Sequence, residues 1–258
     1  MNHSFRTVAL PKEHGAWGYV LEPFVLVLLI AFTKAGLLLL LAAFLFFLAH
    51  RPVSLVARVR NNSEWIPMAF WAMVLYVTSG LAILIYIFPV LSSGAVILYG
   101  TGLLIMLGYL VFDIYKKKRS LLAEQFVPVA LVFMALAGPA QAGWSNQQLA
   151  ALFFLLLTRP VPTTFYIYTR LRMEKGLEYS KRMVYFSHVL ALIYVMLAAG
   201  LGLIPFSPLF AVLILFYRAV KGISPKRTRV SVKKIGMMEF SYGVVFVVIT
   251  ATGYLFGL

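Results

Sequence analysis

The chain reads as an all-α, polytopic transmembrane helical bundle of about nine spans. Three observations carry that reading. Hydrophobic residues make up 62% of the 258 positions and mean hydropathy is +0.92, far above a water-soluble domain. Apolar stretches of about twenty residues recur along the whole length, enough to cross about 30 Å of hydrocarbon. The 23 Lys and Arg gather in alternate connections instead of spreading evenly. A single transmembrane domain accounts for 1–258, and no soluble domain is expected. Pro11, Lys12, Glu13 and His14 interrupt the start before any apolar run, so a cleaved signal peptide is not expected either. The absence of cysteine excludes disulfides, thiolate metal sites and a cysteine nucleophile.

The spans follow in order. The first, 15–32, begins behind Lys12-Glu13-His14 and stops at Thr33-Lys34. The second, 35–57, is leucine-rich and stops at Arg58-Val59-Arg60. The third, 65–88, opens at Trp65 and closes on Phe88-Pro89. The fourth, 93–115, runs to the basic block Lys116-Lys117-Lys118-Arg119. The fifth, 121–140, ends at Gly138-Pro139, and the sixth, 147–168, ends before Arg170 and Arg172. The seventh, 183–204, lies between Lys181-Arg182 and Pro205-Phe206. The eighth, 207–220, is short. The ninth, 235–257, follows Lys226-Arg227-Thr228-Arg229. Connections after odd spans are tight, and those after even spans are basic. All Lys and Arg except Lys34 thus fall on one side, which the positive-inside rule makes cytoplasmic. The N-terminus is then inside and the C-terminus outside a cell membrane. The net charge of +15 is explained by topology and by anionic lipid heads, so no nucleic-acid partner is expected.

An internal duplication is visible. Arg51-Pro52-Val53 returns as Arg159-Pro160-Val161, and each copy is followed by an R-x-R pair, Arg58 with Arg60 and Arg170 with Arg172. Pro23 corresponds to Pro128. The parallel units run over about 11–62 and 121–172, with a fainter third over 183–234 that holds His188, Pro205 and Arg218. Parallel repeats place a shared site between equivalent helix ends.

Acids are scarce, so their places are informative. Glu13, Glu124 and Glu239 stand at cytoplasmic starts of odd spans, and Arg51, Arg159 and Arg218 near cytoplasmic ends of even ones. Capping of helix dipoles is the plain account of these charges. Arg51 and Arg159, however, lie inside their apolar runs, where arginine is costly unless it has a partner or a task. Arg51 and Arg58 are seven apart. Arg159, Thr163, Tyr166 and Arg170 are spaced four, three and four, which puts them on one helix face. Paired guanidiniums grip phosphate or carboxylate through parallel hydrogen bonds and stay charged when buried. Prolines 52, 160 and 162 loosen the helix there. The candidate ligand-binding set is Arg51, Arg58, Arg159, Arg170 and Tyr166, with Glu13, His14, His50, Asn61 and Glu124 around it. His14, His50 and His188 share no local motif and read as interfacial histidines, so no metal and no cofactor are expected. Trp65, Trp144 and Tyr99 read as members of the interface belts.

Two resemblances attach to these residues. The stretches PKEHGAWGYVLEPFVLVLL at 11–29 and HRPVSLVARVRNN at 50–62 resemble the YwiC-like family of bacterial membrane proteins, over the whole chain. That resemblance implies an integral membrane protein and no particular activity. The nine-span plan, with motifs at the cytoplasmic ends of spans two and six, is similar to the UbiA-type intramembrane prenyltransferases. In that superfamily these places carry aspartate-rich motifs that hold Mg²⁺ for an isoprenoid diphosphate. Here they hold RPVSLVARVRNNSEW and RPVPTTFYIYTRLRMEKG, and the chain has a single aspartate, Asp113. No catalytic aspartate carries over. The expectation is therefore a membrane protein that binds a phosphorylated isoprenoid or another anionic lipid through arginines, with a non-magnesium transferase as its chemical extension. An anion or small-molecule transporter, or a membrane scaffold without a small ligand, is the alternative.

Overall fold

A computed structural model describes residues 8–10, 14–58, 65–114, 121 and 123–258. The described chain is all-α. Its helices are α1 (His14–Ile30), α2 (Lys34–Arg58), α3 (Ile66–Ile87), α4 (Ser93–Ile114), α5 (Ala123–Gln141), α6 (Asn146–Leu157), α7 (Pro160–Glu174), α8 (Arg182–Gly200), α9 (Ser207–Gly222) and α10 (Val232–Phe256). A 3₁₀ turn, Phe88–Val90, follows α3. Among the described residues, the apolar stretches are largely helical.

The sixth stretch departs from expectation, because it is two helices. Pro160 and Pro162 bring no N–H to the helix, so the carbonyls of Leu156 and Thr158 lose their usual donors. The chain breaks at Thr158–Arg159, the Thr158 hydroxyl turns back onto the Leu155 carbonyl at 2.6 Å, and α7 restarts on Pro160. Proline suits the first helical position, where the N–H is unpaired in any case.

Six segments are long and apolar enough to cross a membrane: Lys34–Ala57, Ile66–Val90, Ser93–Ile114, Asn146–Glu174, Arg182–Gly200 and Val232–Phe256. Val20–Ile30 is a shorter apolar helix. The protein is multi-pass on that ground.

The bundle is built round α5. This helix packs most extensively on α4 and also touches α1, α2, α6 and α7. Its alanine-rich face is fully enclosed, with Ala130, Leu131, Met134 and Ala135 each 0% exposed. Small residues let backbones approach where lipid supplies no hydrophobic force between helices. Gly102 on α4 shows the closeness, since a β-carbon there would stand 2.7 Å from the Ala130 carbonyl oxygen. Tyr99 joins this core at 4% exposure, so it is not an interface-belt residue. At the rim, α3 packs chiefly on α2 and turns Trp71, Ile85 and Tyr86 outward, an apolar face that suits lipid. On the opposite side α10 packs on α1 and α9, and α8 on α9 and α7. That second group encloses the buried charges.

Candidate functional site

The break in the sixth span positions Arg159 inside the bundle, where it is 3% exposed. Its guanidinium fork meets the Glu22 carboxylate of α1, with Nε 3.2 Å from Oε2 and Nη2 3.3 Å from Oε1. Nη2 also donates to the Glu239 backbone carbonyl of α10 at 2.8 Å, and Nη1 lies 3.6 Å from Glu239 Oε2. One turn along α7, Thr163 Oγ1 accepts a hydrogen bond from Arg159 Nη1.

Arg218 of α9 completes the set. It is 4% exposed, its Nη1 donates to Glu239 Oε2, and its Nη2 donates to the same Thr163 hydroxyl at 3.2 Å. Its guanidinium carbon lies 4.3 Å from the Tyr166 ring centroid and 5.6 Å from that of Tyr242, so two aromatic faces hold its plane. Two arginines and two glutamates thus form one buried set with no net formal charge. Burying a lone charge costs several kcal/mol, and pairing with fork geometry is the condition under which such charges persist. Glu22 reaches Arg159 past Gly243 of α10, where any β-carbon would overlap its carboxylate. A cavity with room for about one water lies beside Glu22 and Arg159, lined also by Pro23, Pro128 and Pro160.

His188 of α8 departs from the interfacial reading. It is 1% exposed, with Nδ1 2.7 Å from the Val184 carbonyl oxygen and its ring 6.0 Å from that of Phe216 on α9. Its Nε2 is buried without a hydrogen-bond partner among the described residues, and so is Arg218 Nε.

Two further polar clusters hold helix ends. On α2 and α4, Asp113 Oδ2 accepts from Ser54 Oγ at 2.8 Å and lies 3.6 Å from His50 Nε2, while His50 stacks on Tyr109 at 5.5 Å. Aspartate sits between serine and histidine there, which is not the order that activates a serine nucleophile. At the end of α7, Arg170 Nε lies 2.9 Å from Glu174 Oε1, and its other nitrogens donate to the carbonyls of Gly222 and Thr228. Arg227 Nε meets the same Glu174 oxygen at 3.2 Å and its Nη2 donates to the Met173 carbonyl at 3.2 Å. This arrangement ties the basic segment between α9 and α10 to α7.

The sequence-derived candidates are distributed over these clusters. Arg159 and Tyr166 enter the buried set, Arg170 the loop tie, and His50 the Asp113 cluster. Arg51 is half-buried on α2, whose main packing partners are α3 and α5. Glu124 is half-buried in the first turn of α5. Glu13 and Asn61 lie outside the described residues, as do the side chains of His14 and Arg58. Three members of the buried set are absent from the sequence-derived candidates: Arg218 and Glu239, read there as capping charges, and Glu22, not singled out at all. Its signal was available, since it is a lone carboxylate in the middle of an apolar run, directly before Pro23. Among the described residues, no three His, Asp or Glu side chains come together as a metal-ligand group.

A family model described as YwiC-like protein matches residues 10–138. No curated protein and no solved structure matches the chain. The matched region runs from the start of α1 into the last turns of α5. It includes Glu22 and stops short of Arg159, Arg218 and Glu239.

Proposed function

The chain belongs to the YwiC-like family, and on that premise we propose that it is a nine-span membrane protein that binds an anionic, lipid-like ligand at Arg218 and Arg159 without metal. The N-terminus and the basic loops are cytoplasmic in this reading. The ligand class is a phosphorylated isoprenoid or a related phosphate-bearing lipid, held by its head while the bundle faces its chain.

One observation carries the reading. Two buried guanidiniums converge on a single acceptor, Thr163 Oγ1, and Arg218 still has an N–H without a partner among the described residues. Arginine pairs that converge on one point are suited to an oxyanion, because each planar fork offers donors at fixed angles. The resident carboxylates of Glu22 and Glu239 offset the arginine charge between binding events. The extended apolar surfaces of α3 and α4 add nothing to specificity, and any membrane protein presents such faces.

Transport is a second reading, favoured by one feature. The sixth span is discontinuous well inside its length, with Arg159 at the break, and broken helices at mid-membrane are a recurring device of substrate sites in transporters. Flux of phosphate-bearing solutes in proteoliposomes decides between binding and carriage.

Native mass spectrometry of the purified protein with isoprenyl phosphates and diphosphates, with a chelator and with Mg²⁺, tests the main reading. A complex that survives chelation and is lost in Arg218→Gln supports it. Absence of any complex on folded wild-type protein refutes it.

A further inference from the structure

Away from the buried charges, α4, α5 and α6 line a groove of about 350 Å³. Gly94 and Ile97 of α4 form one wall, Ala150 and Phe154 of α6 the other, and Phe133 and Leu136 of α5 the floor. Both wall helices pack on α5 and leave it uncovered between them. Gly94 and Ala150 supply little bulk, and the rings of Phe133 and Phe153, 4.8 Å apart, line the space. Its rims are open, since Ile97 and Phe154 are both exposed. The groove starts at the first turns of α4 and α6, at the end of the bundle away from the basic loops. Among its lining residues only Asn146 is polar. Positions 88–112 and 132–158, which hold the whole groove, contain no charged residue.

Size and lining decide between occupants. At about 30 Å³ each, about a dozen waters would fill the space, every one wanting polar partners, and apolar cavities stay dry. From Asn146 to Phe154 the wall runs about 12 Å, at about 1.5 Å per residue. Spread over that length, the volume of about 350 Å³ is a cross-section of about 29 Å². A helix from another chain, about 10–12 Å across, needs about 80–110 Å². The slot is too narrow for a helix and has the width of one extended hydrocarbon chain. We propose that it holds a single tail of a membrane lipid, in the leaflet away from the basic loops. The tail is what is recognised. At the mouth a head group meets the Asn146 amide and no charge, so nothing there selects an anionic head. Close packing in the slot supplies the preference over bulk lipid, because hydrocarbon exerts no hydrophobic force of its own. The outer face of α3 is a single convex helix surface and offers no such slot. Neither Arg159 nor Arg218 lines the groove, so the inference is independent of the anion site.

The experiment reconstitutes the full chain in vesicles of dioleoylphosphatidylcholine. A trace of the same lipid carries a diazirine on one chain, and the peptides it labels after irradiation are mapped. Leu81 and Ile85 of α3, exposed near the same end of the bundle, sample bulk lipid and serve as the reference. Labelling of residues 94–98 and 149–154 is expected to exceed that reference about tenfold, the occupancy that a preference of about 1.4 kcal/mol gives. Ala150→Trp fills the slot from an exposed helix position, and the excess is expected to fall to the reference level. A phosphatidylglycerol probe with the same chains should show the same excess, in wild type and in Arg218→Gln. Equal labelling of the groove and of α3 in wild type overturns the inference. A preference for the phosphatidylglycerol probe that Arg218→Gln abolishes assigns the lipid to the anion site and overturns it too. A wild-type dimer in detergent that Ala150→Trp converts to a monomer makes the groove a contact between copies, with the same consequence. Should Ala150→Trp fail to fold, the wild-type comparison of groove with α3 decides alone.

Discussion

Arg159, at the break before α7, and Arg218, on α9, both donate to the hydroxyl oxygen of Thr163. Two like charges are thereby held within reach of one neutral atom inside an apolar bundle. Their repulsion is offset by Glu22 on one flank and Glu239 on the other, so the four charges and the hydroxyl stand as one unit. Buried networks of this kind cost most when partly satisfied.

Thr163→Val tests that unit with almost no change of shape. It leaves two buried guanidinium N–H groups without their acceptor, at an expected cost of about 1–3 kcal/mol. Thr163→Ser keeps the oxygen and should cost much less. Thermal unfolding in detergent separates the two, and equal midpoints for Val and Ser contradict a shared acceptor.

Glu22 is expected to matter more than its neighbours in sequence suggest. Glu22→Ala strands Arg159 in the bundle, and breaking a buried pair by removing one partner costs about 3–5 kcal/mol. Gly243→Ala should destabilise in the wild-type background, because its methyl meets the Glu22 carboxylate. In a Glu22→Ala background that penalty should vanish. A double-mutant cycle reads the coupling directly, and strictly additive effects contradict the contact.

Arg170 is expected to act through the loop it ties. Arg170→Ala frees the Gly222 and Thr228 carbonyls and half of the Glu174 bridge. Trypsin cleavage at Lys226, Arg227 and Arg229 should then accelerate several-fold over wild type at unchanged ligand affinity. An unchanged cleavage rate contradicts the tie.

Orientation is checked with single cysteines, since the chain has none of its own. Gln147→Cys at the start of α6 and Lys226→Cys in the basic loop are both exposed positions. In intact cells an impermeant thiol reagent should label the first and spare the second until the membrane is opened. The reverse pattern contradicts the cytoplasmic placement of the basic loops.

Much of the helical layout was legible because it depends on local sequence. The leucine-rich run of α2 and the basic stop after α9 can be read without reference to neighbours. Arg159 was legible as a buried, purposeful charge because an arginine within an apolar run demands an account. What escaped was partnership. Arg218 and Glu239 look like capping charges when each is read on its own helix, and only the packing of α9 against α10 makes them a pair. Glu22 was hidden by attention to repeats, since its place in the second unit is filled by a residue of no special chemistry. The split of the sixth span was half legible, because Pro160 and Pro162 promised a loosened helix and the structure contains a break. His188 was read from its position near basic residues, whereas α8 turns it wholly inward.

The proposed ligand site is the pair of arginines round Thr163, and not the first basic helix end. It is tested most directly by binding isotherms for one phosphorylated isoprenoid, in chelator, on folded Arg218→Lys and Arg51→Lys proteins. Lysine keeps the charge and loses the planar fork. The expected loss is about tenfold or more for Arg218→Lys, the scale of one charge-assisted hydrogen bond, with Arg51→Lys close to wild type. Undiminished binding by Arg218→Lys, or a loss confined to Arg51→Lys, contradicts it.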